Sequence, residues 1–162
     1  MRDVLELEVL GSPKPKGSLR HVGRGRLVEQ LEGSKPWREA VKWAALEAIA
    51  ARAGTRTPAA ALTGPVTVDL TVTVAKPKSA PRTRRTWPIT RSSGDADKHL
   101  RNVLDALVDA AVMGDDSQVI EATVRKVYPG EHVHALAVPG ARIFVVPLQP
   151  LVTTLPLPAV EL

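Results

Sequence analysis

Between Val66 and Val74 apolar residues alternate with Thr67, Asp69, Thr71 and Thr73, the period-two pattern of a strand with one buried face. Residues 4–10 repeat it more weakly, with Leu5, Leu7 and Val9 set against Glu6 and Glu8. The stretch "GSPKPKGS" then interrupts the pattern, because its prolines cannot donate to a ladder. "HVGRGRLVEQ" fits either a turn with a short strand or a basic loop. From Ser34 the period becomes helical: Trp37, Ala40, Val41, Ala44, Ala45, Ala48 and Ile49 recur on one face. Ser34 suits the N-cap, Pro36 the first turn and Gly54 the end of that helix. A second helix is predicted over residues 97–113, with strands over 117–128 and 141–146. The order β, α, β, α, β, β predicts an α+β fold with a small mixed sheet and two main helices. One domain is expected over residues 1–147, followed by an extended Pro/Leu-rich tail, 148–162. No internal repeat is visible.

Composition narrows the chemistry. A chain of 162 residues buries enough surface to fold without staples. Without cysteine it has neither disulfides nor thiolate metal sites, which suits a reducing, cytoplasmic setting. No apolar run approaches the length of a membrane span, and the residues after Met1 contain no signal-type apolar region. The net charge of +5 points to a polyanionic partner. The loop "AKPKSAPRTRRTWPITRSSG" is rich in cations and holds no acid. Lys14, Lys16, Arg20, Arg24 and Arg26 form a second basic group, and Lys76, Lys78, Arg82, Arg84 and Arg85 lie in the loop itself; each is a candidate phosphate contact. Trp87 could stack on an unpaired base or serve as core or interface. "HVH" at 132–134 reads as a solvated loop rather than a metal site.

Against this basic background, Asp95, Asp97, Asp105, Asp109, Asp115 and Asp116 crowd into "SSGDADKHLRNVLDALVDAAVMGDDSQVI". On a helical wheel Leu100, Val103, Leu104, Leu107, Val108 and Ala111 share the apolar face. Asp97 and Arg101 fall at its edge, so Asp97 is expected to turn toward the protein body, while Asn102 and Asp109 point to solvent. An N-cap role explains Asp95 or Asp97, but hardly both. A turn explains one of Asp115 and Asp116 in the same way. A straight helix of about 17 residues spans about 25 Å. The two acid pairs therefore share a site only if the helix breaks early or the following loop folds back. Carboxylate clusters of this kind suit Mg²⁺ or Mn²⁺. Beside a basic loop, such an ion is equipped to cut phosphodiesters.

The run "GDADKHLRNVLDAL", seven residues and then "DDSQVIEATVRKVY" resembles the RusA-type Holliday-junction resolvases. Their pattern is Asp-x-Asp-Asn, a basic residue four positions after the second Asp, Asp-Ala-Leu, a seven-residue gap and Asp-Asp-[Ser/Ala]-Gln-Val. "PKPKG", "AKPKS" and the final strand after "PGAR" are weaker flanking likenesses. The resemblance implies a homodimeric, Mg²⁺-dependent endonuclease that nicks four-way DNA junctions. By position it assigns Asp95, Asp97 and Asp116 as metal-binding catalytic carboxylates, with Asp115 as helper. Arg101 stands where the family commonly has lysine. Arginine keeps its proton, so this position supplies charge rather than a base. Lys98 replaces the usual Asn and joins the candidate DNA contacts. Asp105 matches the Asp of Asp-Ala-Leu and is expected to pair with Arg101 at i,i+4. The rival readings are a Mg²⁺-dependent nucleotidyltransferase and a non-catalytic branched-DNA-binding protein. The first usually has a Gly-Ser upstream, whereas "SSG" touches the pair directly. The second has no use for four carboxylates beside phosphate.

Overall fold

The computed structural model describes residues 4–17, 19–21, 27–29, 33–53 and 61–148. Alternating apolar residues produce β1 (Leu5–Leu10), whose buried and exposed positions alternate without exception. Two short antiparallel strands follow, β2 (Leu19–His21) and β3 (Leu27–Glu29). Next come α1 (Ser34–Ala53), β4 (Val66–Thr73), α2 (Ala96–Asp109), β5 (Val119–Val127) and β6 (Gly140–Pro147). The main sheet has the order β1-β6-β4-β5. β6 runs antiparallel to both its neighbours, and β5 runs parallel to β4. A parallel pair needs a long crossover, and the segment containing α2 is that crossover.

Both helices pack on one face of the sheet. Val41 and Ala45 of α1 and Val103, Ala106 and Leu107 of α2 share one core with Val68, Leu70, Val72, Ile143 and Val145. Leu70, Leu107 and Ile143 are fully buried, and each contributes about 1.5–3 kcal/mol through burial. The opposite face is laced by ion pairs, Arg125 with Asp69 and Arg142 with Glu8. The expected mixed sheet with two helices is therefore what forms. Leu148 ties back to the sheet through its N–H to Pro65 O at 2.8 Å; the rest of the tail, 149–162, lies outside the described residues.

The second helix ends four residues before Met113. Ala111 adopts φ 57°, and the N–H groups of Ala111 and Val112 bond to Val108 O and Leu107 O at 2.9 and 3.0 Å. This is the Schellman arrangement that closes helices. Its left-handed position is usually glycine, so an alanine there gave no stop signal in the sequence. The turn buries Val112 and Met113 and lets Met113 bridge to Leu62.

Candidate active site

A 3-10 turn (Arg91–Ser93) and Gly94 deliver the chain to Asp95, the residue before α2. Asp95 has the extended backbone of an N-cap, but its carboxylate makes no capping hydrogen bond. It pairs instead with Lys98 at 2.9 Å. The Lys98 hydrogen bond, and then its charge, hold the Asp95 carboxyl below the usual range. The capping explanation thus fails for Asp95, which presents an ionised carboxylate to solvent. Asp97 is also exposed, contrary to the inward orientation expected from the wheel; the inward position of this turn belongs to His99. Arg101 is exposed, and neither it nor Asp97 has a side-chain hydrogen-bond or ion-pair partner among the described residues.

The buried side of α2 carries polar groups that join it to the N-terminal basic segment. Asn102, expected in solvent, is fully buried. Its amide nitrogen donates to Lys14 O at 2.9 Å and lies 3.3 Å from Ser34 O. Asp105 accepts from Lys16 at 2.7 Å and faces Arg38 at 3.5 Å, rather than pairing with Arg101. The Lys16 N–H donates to Lys98 O at 2.9 Å. Lys14 and Lys16 are thereby laid along the acid-bearing helix, with Lys16 already neutralised by Asp105.

Beyond the C-terminal end of α2, Asp115 caps a second 3-10 turn (Asp116–Gln118) by accepting from Ser117 N–H at 2.8 Å. Ser117, through its side-chain hydroxyl first and then its N–H, holds the Asp115 carboxyl below its ordinary range. Gln118 completes the cap: Oε1 accepts from Asp115 N–H at 3.1 Å and also from Gly114 N–H at 2.7 Å, while Nε2 donates to Leu62 O and Gly64 O. Asp115 is thus accounted for by a structural role, whereas Asp116 is exposed and has no such partner among the described residues. Asp115 and Asp116 border an open cleft of about 380 Å³ with Arg38, Asp105, Val108 and Asp109. The loop therefore folds back beside the last turns of α2 but does not reach its start. Asp97 and Asp105 are separated by about 12 Å of helical rise. Among the described residues no three acidic or histidine side chains converge on a metal position. The donors are hard carboxylate oxygens that suit Mg²⁺ or Mn²⁺, but one chain divides them between two ends of a helix.

The basic loop contains both braced and displayed cations. Lys76 pairs with Glu131 and sits over the Tyr128 ring, so it anchors the loop. Glu131 also accepts from Thr86 N–H at 3.2 Å. Lys78, Arg82, Arg84 and Arg85 are exposed. The Arg85 guanidinium stacks 4.0 Å from the Trp87 ring, and Trp87 is itself exposed. Arg24 lies outside the described residues. His132 and His134 make a local turn, in which His132 Nδ1 accepts from the His134 N–H at 3.0 Å.

Sequence reasoning missed His99, Asn102, Gln118 and Lys126. His99 and Asn102 stand three residues apart on the buried face of α2, a spacing that could have marked a polar seam. Burial pushes the His99 pKa down, against the opposing effect of its bond to Ser93 O. Lys126 reaches Ser93 and Gly94 from β5, more than thirty residues away in the chain, so no local signal marks it.

A search of curated proteins gives no match. A family model described as endodeoxyribonuclease RusA matches residues 10–136, a span holding both acid pairs, the described basic loop and the seam that binds Lys14 and Lys16 to α2. With that match over most of its length, the chain belongs to the RusA family of endodeoxyribonucleases, hydrolases that act on DNA junctions.

Proposed function

We propose that this protein resolves four-way DNA junctions by paired symmetric nicks, as a homodimer, using Mg²⁺ or Mn²⁺ held by Asp95, Asp97 and Asp116. The observation that carries the reading is the set of exposed carboxylates at the ends of α2 beside an acid-free loop displaying Lys78, Arg82, Arg84 and Arg85. The loop cations would hold phosphates. The bound metal would supply an activated water and charge stabilisation at the cut bond. Arg101, exposed one turn after Asp97, would add fixed positive charge. Asp115 acts by orienting the turn that carries Asp116.

The division of the acids supports two copies rather than one. β5 is the last strand in its sheet, and its Ile120 is exposed. It begins directly after the Asp116–Gln118 turn, and Lys126 near its far end bonds to Gly94 at the start of α2. A second copy paired antiparallel along β5 would set its own Asp116 beside the first copy's Asp95 and Asp97. Two-fold symmetry then gives two equivalent sites, one for each strand cut.

The test is cleavage of a labelled four-way junction and of the matching linear duplex, with mass in solution measured in parallel. Expected are a dimer and paired nicks in the junction with Mg²⁺ or Mn²⁺, with little cutting in Ca²⁺. Undiminished cutting in excess EDTA would refute the metal role. Tight junction binding without any cutting would favour the non-catalytic alternative. A monomer that makes paired nicks would remove the dimer.

A further inference from the structure

We propose that Lys126 and His99 are positioning residues for the acid pair, clamping the two peptide carbonyls that immediately precede Asp95. His99 Nε2 lies 2.8 Å from Ser93 O. A carbonyl only accepts, so the proton sits on Nε2 and Nδ1 is left bare. Lys126 Nζ donates to Gly94 O at 2.5 Å and to Ser93 Oγ at 3.0 Å. Having accepted from Lys126, the Ser93 hydroxyl donates to Pro88 O or Thr90 O, at 2.8 and 2.7 Å. The turn is thus fixed from three directions: β5, the first turns of α2 and the end of the basic loop.

Simple packing does not account for this arrangement. Ser93 and His99 are buried, and among the described residues His99 Nδ1 has no hydrogen-bond partner. An orphaned buried acceptor costs free energy that a leucine at this site would not. A lysine on the helix-facing side of a strand likewise forgoes the packing an apolar residue would give. Local rules broken together around one turn mark a functional constraint. The turn leads directly into Asp95, whose exposed carboxylate is held among the described residues by the surface pair with Lys98, while the backbone that carries it is set by Lys126 and His99. A small displacement of a catalytic group costs on the order of a hundredfold in rate, which gives the clamp a role in the reaction.

This inference rests on the proposed function, but one arm of its test does not. The variants are Lys126→Met, Lys126→Arg and His99→Gln, the last retaining an N–H donor. Two measurements apply: junction cleavage with Mg²⁺, resolved into kcat and KM, and amide hydrogen exchange at Ser93, Gly94 and His99. Those amides bond within the turn, to Thr90 O, Arg91 O and Asp95 O. For Lys126→Met, kcat should fall on the order of tenfold to a hundredfold with KM for the junction nearly unchanged. The three amides should exchange at least about tenfold faster, while Val68 to Val72 in the core stay protected. Lys126→Arg and His99→Gln should recover most of both. A rise in KM with kcat intact would make Lys126 a DNA contact and overturn the proposal, as would unchanged exchange in the turn. Equal loss of protection in turn and core would reduce the role to global stability and also overturn it. If the wild-type protein does not cut at all, the proposed function fails, and exchange alone decides the clamp. Should Lys126→Met not fold, Lys126→Gln provides the same readouts.

Discussion

Replacing Gly94 by alanine tests how rigidly the turn before Asp95 is held. Gly94 has φ 74° and ψ 168°, a region that only glycine enters without strain. A Cβ there would stand 2.7 Å from Pro15 Cγ and 2.8 Å from His99 Nε2. Neither neighbour is the free end of a flexible chain: one is a proline ring, the other a buried imidazole bonded to Ser93 O. The backbone term costs about 1–3 kcal/mol and the overpacking another 1–3 kcal/mol or so. If the turn keeps its shape, Gly94→Ala therefore loses about 2–6 kcal/mol of stability. If it relaxes, stability returns but Asp95 moves, and cutting falls on the order of tenfold or more. The assay pairs denaturant unfolding with Mg²⁺-dependent junction cleavage on the same samples. Gly130→Ala is the control, with φ 71° but nothing within 4 Å of the added carbon. It should lose only about 1–2 kcal/mol and keep full activity. A Gly94→Ala protein that matches wild type in both stability and cutting would refute the reasoning.

Three further outcomes are expected. Asp97→Asn should cut at least about a hundredfold more slowly while binding junctions without metal as well as or better than wild type, as a gel-shift titration would show. Changing Arg82, Arg84 and Arg85 together to alanine should weaken binding to all DNA and reduce the log–log salt slope by up to about 0.9 per lost phosphate contact; an unchanged slope would assign them to solvent. Because burial lowers the His99 pKa, the unfolded chain binds the extra proton first as pH falls. Stability should hold above the ordinary value of 6.5 and decline as pH drops from there toward the lowered folded value; His99→Gln should flatten that decline in pH-dependent unfolding curves.

The sequence by itself determined the elements and the chemistry. Alternation at Val66 to Val74, helical spacing from Ser34 and the spacing of the Asp-x-Asp and Asp-Asp pairs are local patterns, and local patterns survive without coordinates. The carboxylate set, the basic loop and the family likeness were legible for that reason. What the tertiary structure decided depends on contacts between distant segments. The wheel sent Asn102 to solvent because it could not know that the Lys14 and Ser34 backbones arrive on that face. It paired Asp105 with Arg101 because only neighbours on the helix were visible, whereas Lys16 and Arg38 come from other elements. The helix stop was hidden because an alanine took a position where glycine is the usual signal. The division of the acids followed from that stop. The Schellman turn folds Asp116 back beside Asp105 and Asp109, leaving Asp95 and Asp97 at the other end. Spacing along a chain fixes which carboxylates are available; only the direction of the chain between them fixes which can meet.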